Sequence, residues 1–131
     1  MTQTFPMLPG ECWWGGCVNQ GHQMPLNEKS SVLMDPFHGR ENDQFAPLYV
    51  SSKGRYLWSE RPYTLRAENG VMTCEGLGEI ALSEGHGDLK GADLAACDAH
   101  FPFTGALPDR RFFTQPQYNT WIELGTDQTT D

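Results

Sequence analysis

The most informative stretch of this 131-residue chain reads Tyr63-Thr64-Leu65-Arg66-Ala67-Glu68-Asn69-Gly70-Val71-Met72-Thr73-Cys74. Apolar and polar side chains alternate in its first half with a period of two, which is typical of a strand with one buried face. Asn69 and Gly70 follow at once, and both residues readily adopt the positive φ angles of a tight hairpin turn. The pattern therefore predicts that residues 71–74 return alongside residues 63–68 as an antiparallel pair.

Similar patterns surround this hairpin. A second hairpin is predicted from residues 46–52 and 55–60, and further short strands at residues 12–16 and 79–83. Short strands separated by turns every 8 to about 12 residues favour an antiparallel sandwich or barrel over a parallel sheet. The long stretch of residues 19–43, rich in Gly, Pro, Asn and charge, is predicted to be mostly an ordered loop.

One short helix is predicted after the strands. Apolar residues recur at helical spacing from Leu89 to Cys97, Asp88 can cap the N-terminus, and Pro102 should end the helix. Residues 117–124 read as a buried strand, and the polar run behind them is typical of a helix start. The chain thus ends where a strand–helix unit is expected to continue.

Composition excludes several functional classes. The chain has 9 Lys and Arg against 17 Asp and Glu, a net charge of -8, so nucleic acid is not an expected partner. No apolar run approaches the ~20 residues that span a bilayer, and no secretory signal is evident, so we expect no membrane association and a cytoplasmic location. Four cysteines at unrelated spacings are expected to be reduced thiols, and no metal-site or cofactor signature is present.

Several segments, taken in order, are similar to the opening of certain members of glycoside hydrolase family 31. They are Glu11-Cys12-Trp13-Trp14-Gly15-Gly16, residues 46–60, Glu84-Gly85-His86-Gly87, Leu107-Pro108-Asp109-Arg110 and residues 113–124. The resemblance covers nearly the whole chain. It implies an N-terminal β-sandwich, similar in fold to galactose mutarotase, over residues 1–106, and a linker with the first strand of a (β/α)8 barrel over residues 107–131.

The resemblance also implies a function. The family hydrolyses or transfers α-linked sugars with retention, using two aspartates on later barrel strands that no residue of this chain matches. We therefore expect a mainly β fragment that packs against its own barrel, meets carbohydrate only through that missing barrel, and is inactive alone, with no catalytic residue, metal or cofactor. Barrel sites gather at the C-terminal ends of strands, so Trp121 and Glu123 are the expected substrate-binding residues.

Two alternatives remain open from the residues themselves. A free-standing carbohydrate-binding module could use exposed Trp58, Trp121, or one of Trp13 and Trp14, which point to opposite faces if they lie in a strand. A mutarotase-like sugar epimerase would instead use His86, within residues 84–88, as a base paired with a neighbouring carboxylate.

Overall fold

Two antiparallel sheets account for most of the ordered chain. The computed structural model describes residues 1–38, 44–117 and 119. The strands are β1 (Thr2–Pro6), β2 (Trp13–Cys17), β3 (Ser31–Met34), β4 (Phe45–Ser51), β5 (Tyr56–Trp58), β6 (Tyr63–Glu68), β7 (Val71–Gly76) and β8 (Ala81–Ser83). The helices are α1 (Leu89–His100), α2 (Arg111–Thr114) and a 3-10 helix at Val18–Gln23.

The first sheet has the strand order β1-β7-β6-β3 and the second has the order β2-β4-β5-β8, and every pairing between these strands is antiparallel. Alternate residues of both sheets contribute to one apolar core. Its members are Phe5, Trp13, Leu26, Met34, Tyr49, Leu57, Tyr63, Leu65, Ala67, Met72, Cys74 and Ile80. The chain is therefore mainly β, as predicted, and its two sheets with a shared core are consistent with the predicted sandwich.

Both predicted hairpins are confirmed. Strands β6 and β7 pair from Tyr63 opposite Gly76 to Glu68 opposite Val71. Asn69 has φ 51° and Gly70 has φ 74°, the left-handed angles that the turn requires. Strands β4 and β5 form the second hairpin, while β2 and β8 match the short strands predicted at residues 12–16 and 79–83.

Two strands are not predicted by the sequence pattern. Strand β3 lies inside the stretch 19–43, predicted to be mostly loop, so that prediction is wrong for Ser31–Met34; residues 39–43 lie outside the described residues. Strand β1 is largely exposed and buries only Phe5. Both are the edge strands of the first sheet, and a strand that buries one or two side chains leaves little periodicity to detect.

Helix α1 is confirmed and lies against β4 and β5. The Asp88 side chain accepts a hydrogen bond from the Gly91 N–H at 2.9 Å and so caps the N-terminus, while Ala92 and Ala96 are buried. Leu89, expected on the same face, is instead more than one-third exposed. No helix in the described part of the chain is long and apolar enough to cross a bilayer.

Beyond α1, every described residue from position 101 to 117 is exposed. Helix α2 forms a single turn within this segment, in a stretch that the sequence predicts as a connection. Of the strand predicted at residues 117–124, only Gln117 and Asn119 are described, and neither belongs to a strand, so the rest of that prediction lies outside the described residues.

Candidate functional site

Strand β2 carries a β-bulge between Gly15 and Gly16, where its register against β4 shifts. The two glycines have φ 147° and φ 78°. A Cβ atom on Gly15 would collide with the Leu48 carbonyl oxygen, and one on Gly16 with the Tyr49 hydroxyl. The bulge therefore needs glycine at both positions, and bulges of this kind often lie beside functional sites.

The two tryptophans of β2 point to opposite faces, as predicted. Trp13 is fully buried in the core, whereas Trp14 is half-buried on the outer face of the second sheet. Trp14 is paired with Val50, and Leu48 lies two residues before Val50 on the same face of β4. The outer face of this sheet is therefore apolar beside the bulge.

An open groove of about 440 Å³ runs over this apolar surface, and we call it the outer groove. Its floor includes Trp14, Met24, Leu48 and Val50, and one wall comes from α1 through Asp93. Within the described part of the chain, Asp93 is the only charged residue that lines the groove, and its carboxylate has no ion-pair or hydrogen-bond partner there. An aromatic face beside an unpaired carboxylate can bind an apolar group that carries a cation or a hydroxyl donor.

A buried ion pair lies away from the groove and ties the segment before β2 to the β4–β5 hairpin. Glu11 is 1% exposed and Arg55 is 6% exposed. Arg55 donates twice to the Glu11 carboxylate, with its Nε 2.9 Å from Oε1, and Glu11 also accepts hydrogen bonds from the Ser51 hydroxyl and the Leu8 N–H. The outward-facing Nη1 of Arg55 donates to Glu84 at 3.1 Å.

The charges of this pair are well compensated. Burial alone raises the pKa of Glu11, but the hydrogen bonds from Arg55 and Ser51 outweigh it and hold that pKa below its usual value. The guanidinium of Arg55 also donates to the Pro6 carbonyl at 3.0 Å and lies 5.3 Å from the Trp13 ring centroid. The pair therefore links the segment before β2, the β4–β5 hairpin and Glu84 through hydrogen bonds within the protein.

The core also holds polar atoms without partners. The hydroxyls of Tyr49 and Tyr63 and the indole N–H of Trp13 are buried and make no hydrogen bond to the described residues. Burial raises the pKa of both tyrosines and raises that of Cys74 to about 12. All four cysteines are free thiols, as expected, and a buried thiol with a raised pKa is a poor nucleophile.

His86 is not paired with a neighbouring carboxylate. Its Nε2 lies 2.8 Å from the Ser83 hydroxyl, and its ring stacks on Tyr56 at a centroid distance of 5.5 Å. Glu84 pairs with Arg55, and Asp88 caps α1. The base–carboxylate pair that the epimerase alternative needs is therefore not formed between these residues.

The remaining predicted binding residues are placed as follows. Trp121 and Glu123 lie outside the described residues. Trp58 has one ring face covered by the His100 imidazole, at a centroid distance of 4.4 Å, and its indole N–H donates to Glu60. Of the described tryptophans proposed for sugar stacking, Trp14 is thus the one that lines an open groove.

Comparison with known proteins does not assign this chain to a family. No protein-family model matches the chain, and no curated protein matches it significantly. Within the described residues, no three His, Cys, Asp or Glu side chains lie close enough together to hold a metal ion.

The sequence pointed to the Trp13–Trp14 pair but not to the groove itself. Asp93 reads as one of several acidic residues on a solvated helix, and Met24 falls in a stretch predicted to be loop. The available signal was the pair Gly15-Gly16 inside a predicted strand, because glycines in a strand interior often mark a bulge.

Proposed function

We propose that residues 1–106 form the N-terminal β-sandwich of a retaining glycoside hydrolase acting on α-linked sugars, and that residues 107–131 lead into its (β/α)8 barrel. In this role the sandwich supports the barrel and has no glycosidase activity alone. The two antiparallel sheets with a shared core agree with the architecture that the resemblance to family 31 implies.

The observation that carries the proposal is the exposed segment 101–117. Phe103 is 74% exposed and Leu107 is 78% exposed, although large apolar side chains close together in sequence are usually covered in a complete protein. A barrel packed on this segment would bury both residues.

The chemistry of the outer groove supports inactivity of the chain alone. Retaining hydrolysis needs two carboxyl groups roughly 5 Å apart across the glycosidic bond. Among the described residues, one carboxylate lines the outer groove, that of Asp93. A second acid would have to come from elsewhere, and the proposal assigns both acids to the barrel.

The first test combines an activity assay of the chain with sequencing of the gene downstream of Asp131. The purified chain should release no nitrophenol from aryl α-glycosides, and the gene should continue past Asp131 into strand–helix repeats. Steady turnover by the chain alone would contradict the supporting role, and a stop codon directly after Asp131 would contradict a barrel in the same polypeptide.

The second test uses the enzyme encoded by the extended gene. Replacing Phe103 and Leu107 together by Asp should sharply reduce glycosidase activity while the sandwich keeps its circular dichroism spectrum, because the charges would face the barrel. Leu77→Asp is the matched control, since Leu77 is 87% exposed but lies between β7 and β8, outside this segment. Equal activity in both variants would refute the proposed contact.

One observation favours a second candidate, a free-standing carbohydrate-binding module. The Trp14 indole lines an open groove next to an unpaired carboxylate, and such an aromatic face can stack on a sugar ring. Titration with oligosaccharides under tryptophan fluorescence, with Trp14→Ala as the comparison, distinguishes the two candidates. Saturable binding that Trp14→Ala removes supports the module, and no response supports the glycosidase domain.

A further inference from the structure

Two described surfaces of this chain lack a partner, and their chemistries are complementary. The first is the outer groove, with its apolar floor at Trp14, Leu48 and Val50 and the carboxylate of Asp93 on its wall. Because no basic side chain among the described residues lines this groove, it favours an apolar occupant that carries a positive charge.

The second surface is helix α2 with the residue before it. Phe112 is 62% exposed and Phe113 is 71% exposed. Arg111 is neutralised by Asp109, with Nη2 2.8 Å from Oδ2, whereas the Arg110 guanidinium has no carboxylate partner among the described residues. This surface thus offers two aromatic rings beside one uncompensated cation.

We propose that helix α2 of one copy of the chain docks in the outer groove of a second copy, with Phe112 and Phe113 on the apolar floor and Arg110 beside Asp93. A two-fold axis would repeat the contact, so that each copy supplies one helix and one groove. The proposal goes beyond the proposed function, because it concerns the 131-residue chain by itself, with α2 uncovered.

Charge and accessibility favour a second copy as the occupant. Each chain carries a net charge of -8, so two copies repel at long range and must attract through a local match of opposite charges. Arg110 and Asp93 provide such a match once in each direction. Because residues 101–117 are all exposed, α2 is free to pack against another molecule without leaving a buried position.

The test measures the dimer dissociation constant by analytical ultracentrifugation. Wild-type chain should form a concentration-dependent dimer, and Arg110→Glu and Asp93→Arg should each weaken it about tenfold or more, because attraction becomes repulsion at both contacts. The double variant Asp93→Arg with Arg110→Glu should regain most of the wild-type affinity. A chain that stays monomeric, or a double variant no tighter than the single ones, would overturn the proposal.

Mixing the two single variants separates a second copy from docking within one chain. In a mixed dimer, the position changed by Asp93→Arg in one variant meets the position changed by Arg110→Glu in the other, so the two new charges attract. The unmodified Asp93 and Arg110 meet at the second contact. The mixture should therefore dimerise more tightly than either variant alone. If α2 instead docks in the groove of its own chain, mixing rescues nothing and the proposal fails.

Matched controls keep these outcomes interpretable. Arg66→Glu and Asp98→Arg make the same charge changes at exposed positions outside the groove and α2, and both should leave the dissociation constant unchanged. Phe112→Ser with Phe113→Ser should abolish the dimer, whereas loss of affinity in the two charge controls as well would assign the effect to net charge and refute the contact.

Discussion

The described part of residues 1–100 forms a body of two sheets. This two-sheet body and the segment 101–117 differ in how far their apolar side chains are buried. The body places twelve side chains in one core shared by both sheets. The segment, although it carries four phenylalanines and a leucine, buries none of its described residues. Apolar content therefore says little about stability here, because burial rather than composition supplies the hydrophobic free energy.

The ion pairs of the two regions also differ in burial. In the body, Arg55 and Glu11 form a buried pair whose remaining hydrogen bonds go to other groups of the protein. In the segment, Arg111 pairs with Asp109 two residues away and both remain largely exposed. Such an exposed local pair contributes little to stability, whereas breaking a buried pair costs about 3–5 kcal/mol.

Arg55→Met gives the largest expected effect. Because it leaves the Glu11 carboxylate buried without its cation, we expect the free energy of unfolding to fall by about 3–5 kcal/mol. Urea denaturation followed by tryptophan fluorescence measures this change. The control is Arg66→Met, an exposed arginine in the same two-sheet body, which should change stability by about 0.5 kcal/mol or less. A similar fall in the free energy of unfolding in both variants would show that the buried pair contributes no more to stability than an exposed arginine.

The same pair predicts an acid-sensitive body. The folded state lowers the pKa of Glu11, so its contribution to stability is fully present above the ordinary value of 4.5 and is lost as pH falls through the lower folded pKa. The free energy of unfolding should therefore decline below about pH 4.5. The effect should be smaller than that of Arg55→Met, because a protonated Glu11 still accepts hydrogen bonds from Arg55, whose charge is also met by Glu84 and the Pro6 carbonyl.

Urea denaturation at a series of pH values measures this decline, and Glu11→Gln should flatten it. Glu84→Gln is the control, because Glu84 contacts the same arginine but its side chain is 59% exposed. An equal flattening by Glu84→Gln would contradict the assignment to Glu11.

The sequence predicted best where one face of an element is buried along its length. In β6, Tyr63, Leu65 and Ala67 alternate with exposed or half-exposed residues, and the hairpin was predicted with its turn. In β1 and β3 the alternation is short, because each strand buries one side chain, Phe5 in β1 and Met34 in β3. Their formation depends on long-range pairing with β7 and β6, which local sequence does not report.

The candidate site was predictable only in its aromatic part. Adjacent tryptophans in a strand must face opposite ways, so one outward tryptophan was expected, and Trp14 is that residue. Asp93 joins it because α1 folds back against the second sheet after a turn through residues 84–88. That packing is a tertiary contact, and the position of a single aspartate in the sequence does not predict it.

Tyr49→Phe offers a subtler probe of the core. The Tyr49 hydroxyl is buried and has no partner among the described residues, so removing it should raise the free energy of unfolding by about 1 kcal/mol. Ser51→Ala, two residues along the same strand, should have the opposite sign because Ser51 donates to Glu11. A loss of stability in Tyr49→Phe would mean that a bound water satisfies the hydroxyl in solution.

Ending the chain at Ala106 has the smallest expected effect and tests the comparison most directly. Since every residue from 107 to 117 is exposed, the truncated body should unfold with a free energy within about 0.5 kcal/mol of the full chain, measured at dilutions where both are monomeric. Leu57→Ala, a fully buried residue of β5, is the contrasting change and should cost about 2–5 kcal/mol. If truncation cost as much as Leu57→Ala, the segment would have to pack on the body in solution, and its apolar residues could no longer be treated as free to bind another molecule.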